Sequence, residues 1–293
     1  MADFLTVGIP VWNDPSSITR SVRAITRSTA WTERKASERE LIVCVNGVRS
    51  NKDPTLVAAR ELSKSVPQMR VLSLKPRGKN IAINYIAKKS NPASRTLFFC
   101  DADVLLKRQT IERVIDALKT RKGVRFAGAL VTPATSLIPE RSRSSFKSYF
   151  LKRHKNRVEN RGDFVSGAGW AVEREFFLKN PLPPTNKIAD DVFINTNFKG
   201  RIALVRNAKA FYMLPAPKDR LFQKARYVAQ EKAQGVKQQS KKSKGAKMKL
   251  TLKERRGLII NKAIDKLAKG LATVNPNVGW RNLSSTKLRA KKK

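Results

Sequence analysis

Short apolar runs alternate with stretches of helical periodicity along the first hundred residues. The runs at 5–11, 41–45, 71–74 and 96–100 each predict a buried strand. Between the first two runs, Ile18, Val22 and Ile25 recur at helical spacing. Strands that alternate with helices in this way indicate parallel β-α-β units, in which ligands bind at the carboxyl ends of the strands. We therefore expect an α/β fold whose functional residues directly follow the strands.

Beyond residue 106 the pattern is mixed. It predicts helices over 111–118 and 221–230, and strands over 126–131 and 202–205. Residues 235–249 consist mainly of Lys, Gln, Ser and Gly, which indicates a solvated linker. The apolar residues over 258–271 alternate with lysines as in a basic amphipathic helix. The predicted organisation is one domain over 1–232, a basic flexible linker over 233–250 and a basic helical tail over 251–293.

The charge balance points to an anionic partner. The formal net charge is +40, and an excess of this size opposes compaction and attracts polyanions. No apolar run approaches the roughly 20 residues that a membrane-spanning helix needs, and the N-terminus lacks a secretory signal pattern. We therefore expect a cytosolic protein without a transmembrane helix. Cys44 and Cys100 each lie inside an apolar run and are predicted to be core thiols.

The strand predicted at 96–100 delivers two carboxylates, Asp101 and Asp103, to its carboxyl end. In an extended chain, side chains two residues apart project to the same side. Two such oxygen ligands can hold Mg²⁺ or Mn²⁺, with a substrate diphosphate completing the octahedron. The alternative is a solvated strand end, but the strand context favours a metal site.

Seven segments, in order along about residues 5–230, resemble motifs of the family 2 glycosyltransferases. They are Ile-Pro-Val-Trp-Asn (9–13), Val-Cys-Val-Asn-Gly (43–47), Gly-Lys-Asn-Ile-Ala-Ile-Asn (78–84), Asp-Ala-Asp (101–103), Val-Ser-Gly-Ala-Gly-Trp-Ala-Val (165–172), Ala-Asp-Asp (189–191) and Gln-Lys-Ala-Arg-Tyr (223–227). The resemblance implies a GT-A fold, Rossmann-like, with a mixed, mostly parallel sheet flanked by helices, to which this chain adds a basic helical C-terminal extension.

The resemblance also implies an inverting sugar transfer from a nucleotide sugar to a hydroxyl acceptor, with Mn²⁺ or Mg²⁺ at Asp101 and Asp103. Asp191 would be the general base, with Asp190 beside it. The residues expected to bind the nucleotide sugar are Pro10, Asn13, Asn46, Lys79, Asn84, Asp101 and Arg226. The residues expected on the acceptor side are Gly167, Gly169, Trp170 and Gln223.

Two positions depart from the family pattern. Asn46 stands where the family often has an acidic residue that reads the base, so a uracil base does not follow from the resemblance. Asp190 replaces the usual Glu of the catalytic motif. Two simpler interpretations also stay open: Asp190 and Asp191 could cap a helix, and residues 223–227 could form a basic helix face.

Only the positive charge of the chain indicates which acceptor it uses. Modified DNA bearing hydroxyl groups would suit the basic stretch 141–161 with its aromatic residues. A peripheral membrane enzyme acting on a lipid-linked or anionic glycan would use residues 258–271 in the headgroup region. Because basic residues are spread over the whole chain, the sequence favours DNA. A third hypothesis is a non-catalytic nucleic-acid-binding protein on a transferase scaffold; no obligate protein partner is predicted.

Overall fold

The computed structural model describes residues 4–134, 143–159, 162–185, 188–214, 217–233 and 250–274. These residues divide into two compact units. The first unit comprises residues up to 131 together with 163–211, and the second comprises the described residues of 132–162 and 212–274. The linker predicted over 233–250 lies almost entirely outside the described residues, so the predicted division of the chain stays a prediction.

One mixed sheet of eight strands runs in the order β3-β2-β1-β4-β7-β6-β8-β5. The strands β1 to β4 pair in parallel, whereas β7 is antiparallel to both β4 and β6. This arrangement, with its helices, confirms the predicted α/β class. The strand bounds are Phe4–Val11 (β1), Arg39–Asn46 (β2), Met69–Leu74 (β3), Ser94–Cys100 (β4), Val104–Leu106 (β5), Phe126–Pro133 (β6), Gly169–Glu173 (β7) and Ile202–Tyr212 (β8).

Ten α-helices and one short 3-10 helix, Ala36–Glu38, occur among the described residues. Asp14 and Asp53 cap α1 and α3 by accepting backbone N–H groups, and each is followed by a proline that favours the first helical position. The α-helices are Pro15–Thr26 (α1), Thr29–Thr32 (α2), Pro54–Ser65 (α3), Lys79–Lys89 (α4), Thr110–Thr120 (α5), Ser145–Glu159 (α6), Arg174–Lys179 (α7), Asp190–Asn197 (α8), Pro217–Ala233 (α9) and Leu252–Val274 (α10).

The core of the first unit is aromatic where β4 meets β7. The ring of Trp170 lies 4.7 Å from that of Phe99 and 5.7 Å from that of Phe126, measured between centroids. All three side chains are almost completely buried, and so are the two thiols, as predicted. Strands covered on both faces by such packing read as continuous apolar runs, which explains why the sequence predicts β1, β2 and β4 clearly.

The second unit is built from α6, α9 and α10. Phe146, Tyr149 and Phe150 on α6 pack with Ile264 on α10 in one apolar cluster. A second cluster joins α9 to α10 through alanines that are at most 1% exposed, Ala225, Ala268 and Ala272. The helix predicted over 258–271 is therefore part of a longer helix that packs against its neighbours. Within the described ranges, every helix is too short or too polar to cross a lipid bilayer.

Candidate active site

Three polar segments meet at one edge of the sheet because they follow adjacent parallel strands. Asn13 and Asp14 follow β1, Asn46 ends β2, and Asp101 follows β4. The order β2-β1-β4 places the carboxyl ends of these strands side by side. The adjacency of these strands thus brings together the polar segments that the sequence predicted at this edge.

Lys79, the first residue of α4, is the central cation of this edge. Its Nζ lies 2.7 Å from Asp101 Oδ1 and 3.0 Å from Asp190 Oδ2. It also donates a hydrogen bond to the carbonyl oxygen of Gly167, at 3.0 Å. One ammonium group therefore joins the Asp-Ala-Asp segment, the Asp190-Asp191 segment and the Gly-rich segment, which are far apart in sequence.

The electrostatics of Lys79 favour its charged form. Burial by itself would lower its pKa, but the charges and hydrogen bonds of Asp101 and Asp190 outweigh burial and raise the pKa above its usual value. Gly167 leaves no room for change: a Cβ there would lie 2.8 Å from Asp190 Oδ2 and 2.9 Å from Lys79 Nζ. Glycine at 167 is therefore required by the close approach of the backbone to this ion pair.

The loop that carries Asp101 and Asp103 is held in place by hydrogen bonds from α1. Ser21 on α1 donates through its buried hydroxyl to the carbonyl oxygens of Ala102 and Val104. Burial, followed by the nearby charges of Asp101 and Asp14, raises the pKa of Asp103 to about 7. The same negative charges would stabilise a cation placed among them, so the residues fit the divalent ion that the sequence predicts.

Additional ligands would be required to complete such a metal site. In the part of the chain that the structure describes, no three Asp, Glu, His or Cys side chains are arranged to hold a metal ion on their own. Divalent cations of this class accept oxygen ligands from water and phosphate as readily as from carboxylates. The arrangement therefore suits an ion that shares its coordination with a bound diphosphate.

Asp190 and Asp191 are the first two residues of α8, and the N-cap is Ala189, whose side chain makes no capping bond. Asp190 is only 4% exposed and faces Lys79. Asp191 Oδ1 accepts the backbone N–H of Val192 at 2.9 Å. Burial and then the charge of Asp190 raise the pKa of Asp191 to about 6, against the opposing effect of Lys79. Neither carboxylate is the N-cap, but both lie at the positive end of the helix dipole.

Two asparagines of α4 hold the segment that leads into α8. Asn80, which is 2% exposed, donates to the carbonyl oxygens of Pro183, at 3.0 Å, and Ile188, at 2.9 Å. Asn84 both donates to the Leu182 carbonyl oxygen, at 2.7 Å, and accepts from its N–H, at 3.1 Å. Asn84 therefore clamps the backbone, whereas the sequence predicted a contact with the nucleotide sugar; that contact stays a prediction.

Asn46 has a similar bracing role. Its Nδ2 donates to the Val11 carbonyl oxygen at 2.8 Å, and its Oδ1 accepts the Gly78 N–H at 3.0 Å. The side chain is 4% exposed. Asn46 thus ties the end of β1 to the start of α4, a role that needs a donor as well as an acceptor and that a carboxylate could not fill.

The two remaining residues predicted on β1 lie at its end. Pro10 is a buried strand residue opposite Cys44 of β2. Asn13 adopts a positive φ of 46°, a conformation that asparagine tolerates better than most residues. Together they turn the chain out of the sheet toward Asp14.

Trp12 and Arg77 form a stack that the sequence analysis did not assign. The Arg77 guanidinium carbon lies 3.5 Å from the centroid of the Trp12 ring. Gly47, at φ 72°, allows the ring to approach, since a Cβ there would lie 2.9 Å from Trp12 Cδ1. Trp12 lies inside the segment 9–13 and Arg77 directly precedes the segment 78–84, which was the available signal. Their contact depends on loops from separate parts of the chain.

The residues predicted on the acceptor side lie in different parts of the structure. Gly167 lies at the ion pair, and Gly169 begins β7 opposite Cys100. The Trp170 side chain is fully buried in the aromatic core and supports β7, so its expected contact with an acceptor stays a prediction. Gln223 and Arg226 lie on α9 in the second unit, where Gln223 accepts a hydrogen bond from Arg220. The Arg226 side chain is outside the described part of the structure.

Comparison with known proteins identifies the family. The sequence model of glycosyl transferase family 2 matches residues 6–179, more than half of the chain. The chain belongs to this family. The matched range contains the Asp-Ala-Asp segment, Lys79 and Gly167, so the family 2 match covers most of the charged site described above. No curated protein matches the sequence significantly.

Solved structures show the same fold for this family 2 chain. The mannosyltransferase PcManGT from Pyrobaculum calidifontis, in complex with GDP-Man and Mn²⁺, has a TM-score of 0.58 at 15% identity, covering 94% of this chain and 76% of that one. Glucosyl-3-phosphoglycerate synthase from Mycobacterium tuberculosis, in complex with Mn²⁺, UDP and phosphoglyceric acid, has a TM-score of 0.50 at 18% identity, covering 78% of each chain. These likenesses confirm the GT-A fold. The family 2 match confirms the expected nucleotide-sugar-dependent glycosyltransferase.

Proposed function

We propose that this chain is a metal-dependent, inverting glycosyltransferase that moves a sugar from a nucleotide sugar to a hydroxyl of an anionic acceptor. The observation that carries the proposal is Lys79, which contacts both Asp101 and Asp190. A site for inverting transfer needs a cationic region that binds the leaving diphosphate. It also needs a carboxylate base close enough to reach the acceptor hydroxyl on the other side of the sugar. Lys79 joins the two segments that would supply these groups.

Asp191 is the base in this proposal. It removes the proton from the acceptor hydroxyl while that oxygen forms a bond to the anomeric carbon and the bond to the diphosphate oxygen breaks. The electron pair of the broken bond leaves with the diphosphate. A pKa of about 6 makes Asp191 a stronger base than an ordinary carboxylate, and the group is still ionised at neutral pH. Asp190 and Lys79 hold α8 in place beside it.

Asp103, with Asp101, would hold Mn²⁺ or Mg²⁺. When bound, the ion supplies the positive charge that stabilises the leaving nucleoside diphosphate. The fit rests on the negative charges of Asp101 and Asp14 around Asp103. The solved structures of PcManGT and glucosyl-3-phosphoglycerate synthase contain Mn²⁺, which supports the proposal by likeness of fold. Arg226 stays proposed as a second cation for the diphosphate.

The nucleotide base would lie near Trp12 and Arg77. An aromatic ring provides a stacking surface for any base, and a guanidinium group donates to carbonyl oxygens of a base edge. Asn46, the residue expected to read the base, has its amide engaged with the backbone of Val11 and Gly78. Base reading would therefore depend on Arg77 more than on Asn46.

The anionic acceptor is supported by the net charge of +40. Modified DNA and a lipid-linked or anionic glycan are the two classes left open by the sequence. The aromatic residues of the basic stretch that was expected to contact DNA, Phe146, Tyr149 and Phe150, are at most 8% exposed and pack within the second unit. The structure therefore removes one argument for DNA. A cytosolic location remains part of the proposal.

The test is turnover of a panel of nucleotide sugars with Mn²⁺ or Mg²⁺, repeated with duplex DNA carrying hydroxymethylated bases and with anionic liposomes containing a lipid-linked glycan. Wild type should release nucleoside diphosphate, and Asp103→Ala and Asp191→Ala should each lose at least a hundredfold in turnover. The exposed Asp116 of α5 offers a matched control, since Asp116→Ala should keep full turnover. Biological activity unchanged in both site variants would instead favour the non-catalytic binding protein.

A further inference from the structure

Helix α10 presents two apolar faces, of which only one is used inside the second unit. The inner face, which contains Ile264 and Ala268, packs on α6 and α9. The outer face of α10 carries four large aliphatic side chains. Their exposed fractions are 70% for Leu252, 66% for Ile259, 39% for Ile260 and 61% for Leu267. These residues recur at intervals of seven or eight, so they form a stripe along one side of the helix.

The outer face is also positively charged. Five exposed basic residues lie beside or within the stripe: helical spacing places Arg255, Lys262, Lys266 and Lys269 along one border and Arg256 inside it. The two acidic residues of α10 have other partners. Glu254 accepts the Thr251 backbone N–H at 2.8 Å, and Asp265 forms an ion pair with Lys224 of α9 at 3.1 Å. The charge of Asp265 is therefore balanced by Lys224, and the single negative charge of Glu254 is outnumbered by the five exposed cations.

We propose that the outer face of α10 docks this protein on an anionic lipid surface. An aliphatic stripe bordered by cations matches the interface of a bilayer, in which acyl chains lie beneath negatively charged headgroups. A nucleic acid would pair with the cations but would leave the aliphatic side chains in water, because its phosphate backbone offers no apolar surface. The helix lies on the membrane and does not cross it.

The proposal does not depend on the proposed catalytic function, because docking requires no donor sugar. An Asp191→Asn variant should therefore bind vesicles as wild type does, even if turnover is lost. If turnover fails in every assay and vesicle binding persists, the docking proposal stands alone. If vesicle binding fails and turnover persists, only the docking proposal is overturned.

The first experiment measures sedimentation of the full chain with phosphatidylcholine vesicles, with or without phosphatidylglycerol, at moderate salt. We expect the wild type to bind the anionic vesicles. The double variant Ile259→Asn with Leu267→Asn should lower the partition coefficient about tenfold or more, and each cation replaced by Gln should lower it about fivefold. Val57→Asn is the matched control, because Val57 is a 50% exposed aliphatic residue on α3 of the first unit. Equal binding by wild type and the double variant would overturn the proposal.

A second experiment tests the proposal without the double variant, in case that variant folds poorly. Cys44 and Cys100 are buried, so a single Ile259→Cys substitution can be labelled selectively with an environment-sensitive fluorophore. The label should shift to the blue with phosphatidylglycerol vesicles, and a label at Val57→Cys should not. A shift with duplex DNA and none with vesicles would assign the face to nucleic acid and overturn the proposal. If the wild type forms a dimer without lipid and the double variant does not, the face serves self-association. That result would also overturn the proposal.

Discussion

At the residue scale, the charge balance around Lys79 determines how Asp191 titrates. Burial and the neighbouring Asp190 make protonation of Asp191 easier, and Lys79 opposes this change only in part. Asp191 would work as a base only when it is ionised. The direction of the shift therefore sets the acid side of the pH dependence of the reaction.

We predict that kcat/KM falls tenfold per pH unit below about pH 6, because the active form of Asp191 is the ionised one and its pKa is raised to about 6. A carboxylate with an ordinary pKa near 4 would keep the rate flat to about pH 5. The measurement is a pH profile of kcat/KM, which reports groups of the free enzyme. An Asp191→Glu variant that retains activity should show a displaced acid limb. An unchanged limb in that variant would assign the titration to another group.

Gly167 gives a second prediction at this scale. Gly167→Ala should reduce turnover at least tenfold, since the new Cβ would lie within 2.9 Å of Asp190 and Lys79 and push the ion pair apart. Gly162→Ala is the control from a nearby loop. A Cβ there would meet no atom within 4 Å, so turnover should persist. Equal activity of the two variants would show that the close approach at Gly167 is not needed for function.

At the scale of elements, α4 links the carboxyl edge of the sheet to the segment that carries Asp190 and Asp191. Its first residue is Lys79, and Asn80 and Asn84 bind the backbone of the segment before α8. One helix thus fixes the position of α8 relative to Asp101. The same helix is fixed to β1 and β2 through Asn46.

We expect Asn80→Ala to lower kcat about tenfold with little change in the KM for the donor. The Asn80 amide is bonded to the backbone of the segment before α8, and its loss leaves the carbonyl oxygens of Pro183 and Ile188 without this donor. Steady-state kinetics over donor concentration separate the two parameters. Asn197, an exposed asparagine on α8 itself, offers the control Asn197→Ala, which should behave as wild type. A rise in KM with unchanged kcat would instead place Asn80 at the donor.

How well the sequence predicted each element depended on what covers it. The strands β1, β2 and β4 are buried on both faces and were visible as apolar runs. Helix α6 was not predicted, because it carries as many cations as apolar residues and its aromatic side chains pack on residues of β8, α9 and α10, far along the chain. Helix α8 is short, and its apolar residues adjoin one another without helical spacing. Long-range packing determines both helices.

The site shows the same division. Asp101 and Asp103 could be predicted because a strand and its carboxyl end are local features of sequence. The bracing contacts of Asn46 and the stack of Trp12 with Arg77 could not, since each joins separate loops. The burial of the Trp170 side chain could not be predicted for a related reason. The motif located the residue correctly, but only the pairing of β7 with β4 and β6 shows that its side chain faces the core.

At the scale of the whole molecule, the balance between protein and ligand oxygens determines how metal binding is linked to stability. The negative charges around Asp103 attract a cation, yet the described residues do not hold three ligands in one metal-binding group. Metal and nucleotide should therefore bind cooperatively, because the diphosphate completes the coordination of the ion. A ligand that binds only the folded chain raises the free energy of unfolding by about 2.7 kcal/mol when its concentration is a hundred times its Kd.

We therefore predict that Mn²⁺ alone and a nucleoside diphosphate alone each raise the melting temperature slightly, and that together they raise it by more than the sum of the two shifts. Thermal unfolding at fixed ligand concentrations measures this, with a panel of nucleoside diphosphates because the base is not fixed by Asn46. Asp103→Asn should abolish the excess, since the amide oxygen is a weaker ligand than the carboxylate and lacks its charge. Asp116→Asn on α5 should retain it. Additive shifts in wild type would mean that metal and nucleotide bind apart, and that Asp103 serves the fold of its loop and no shared metal site.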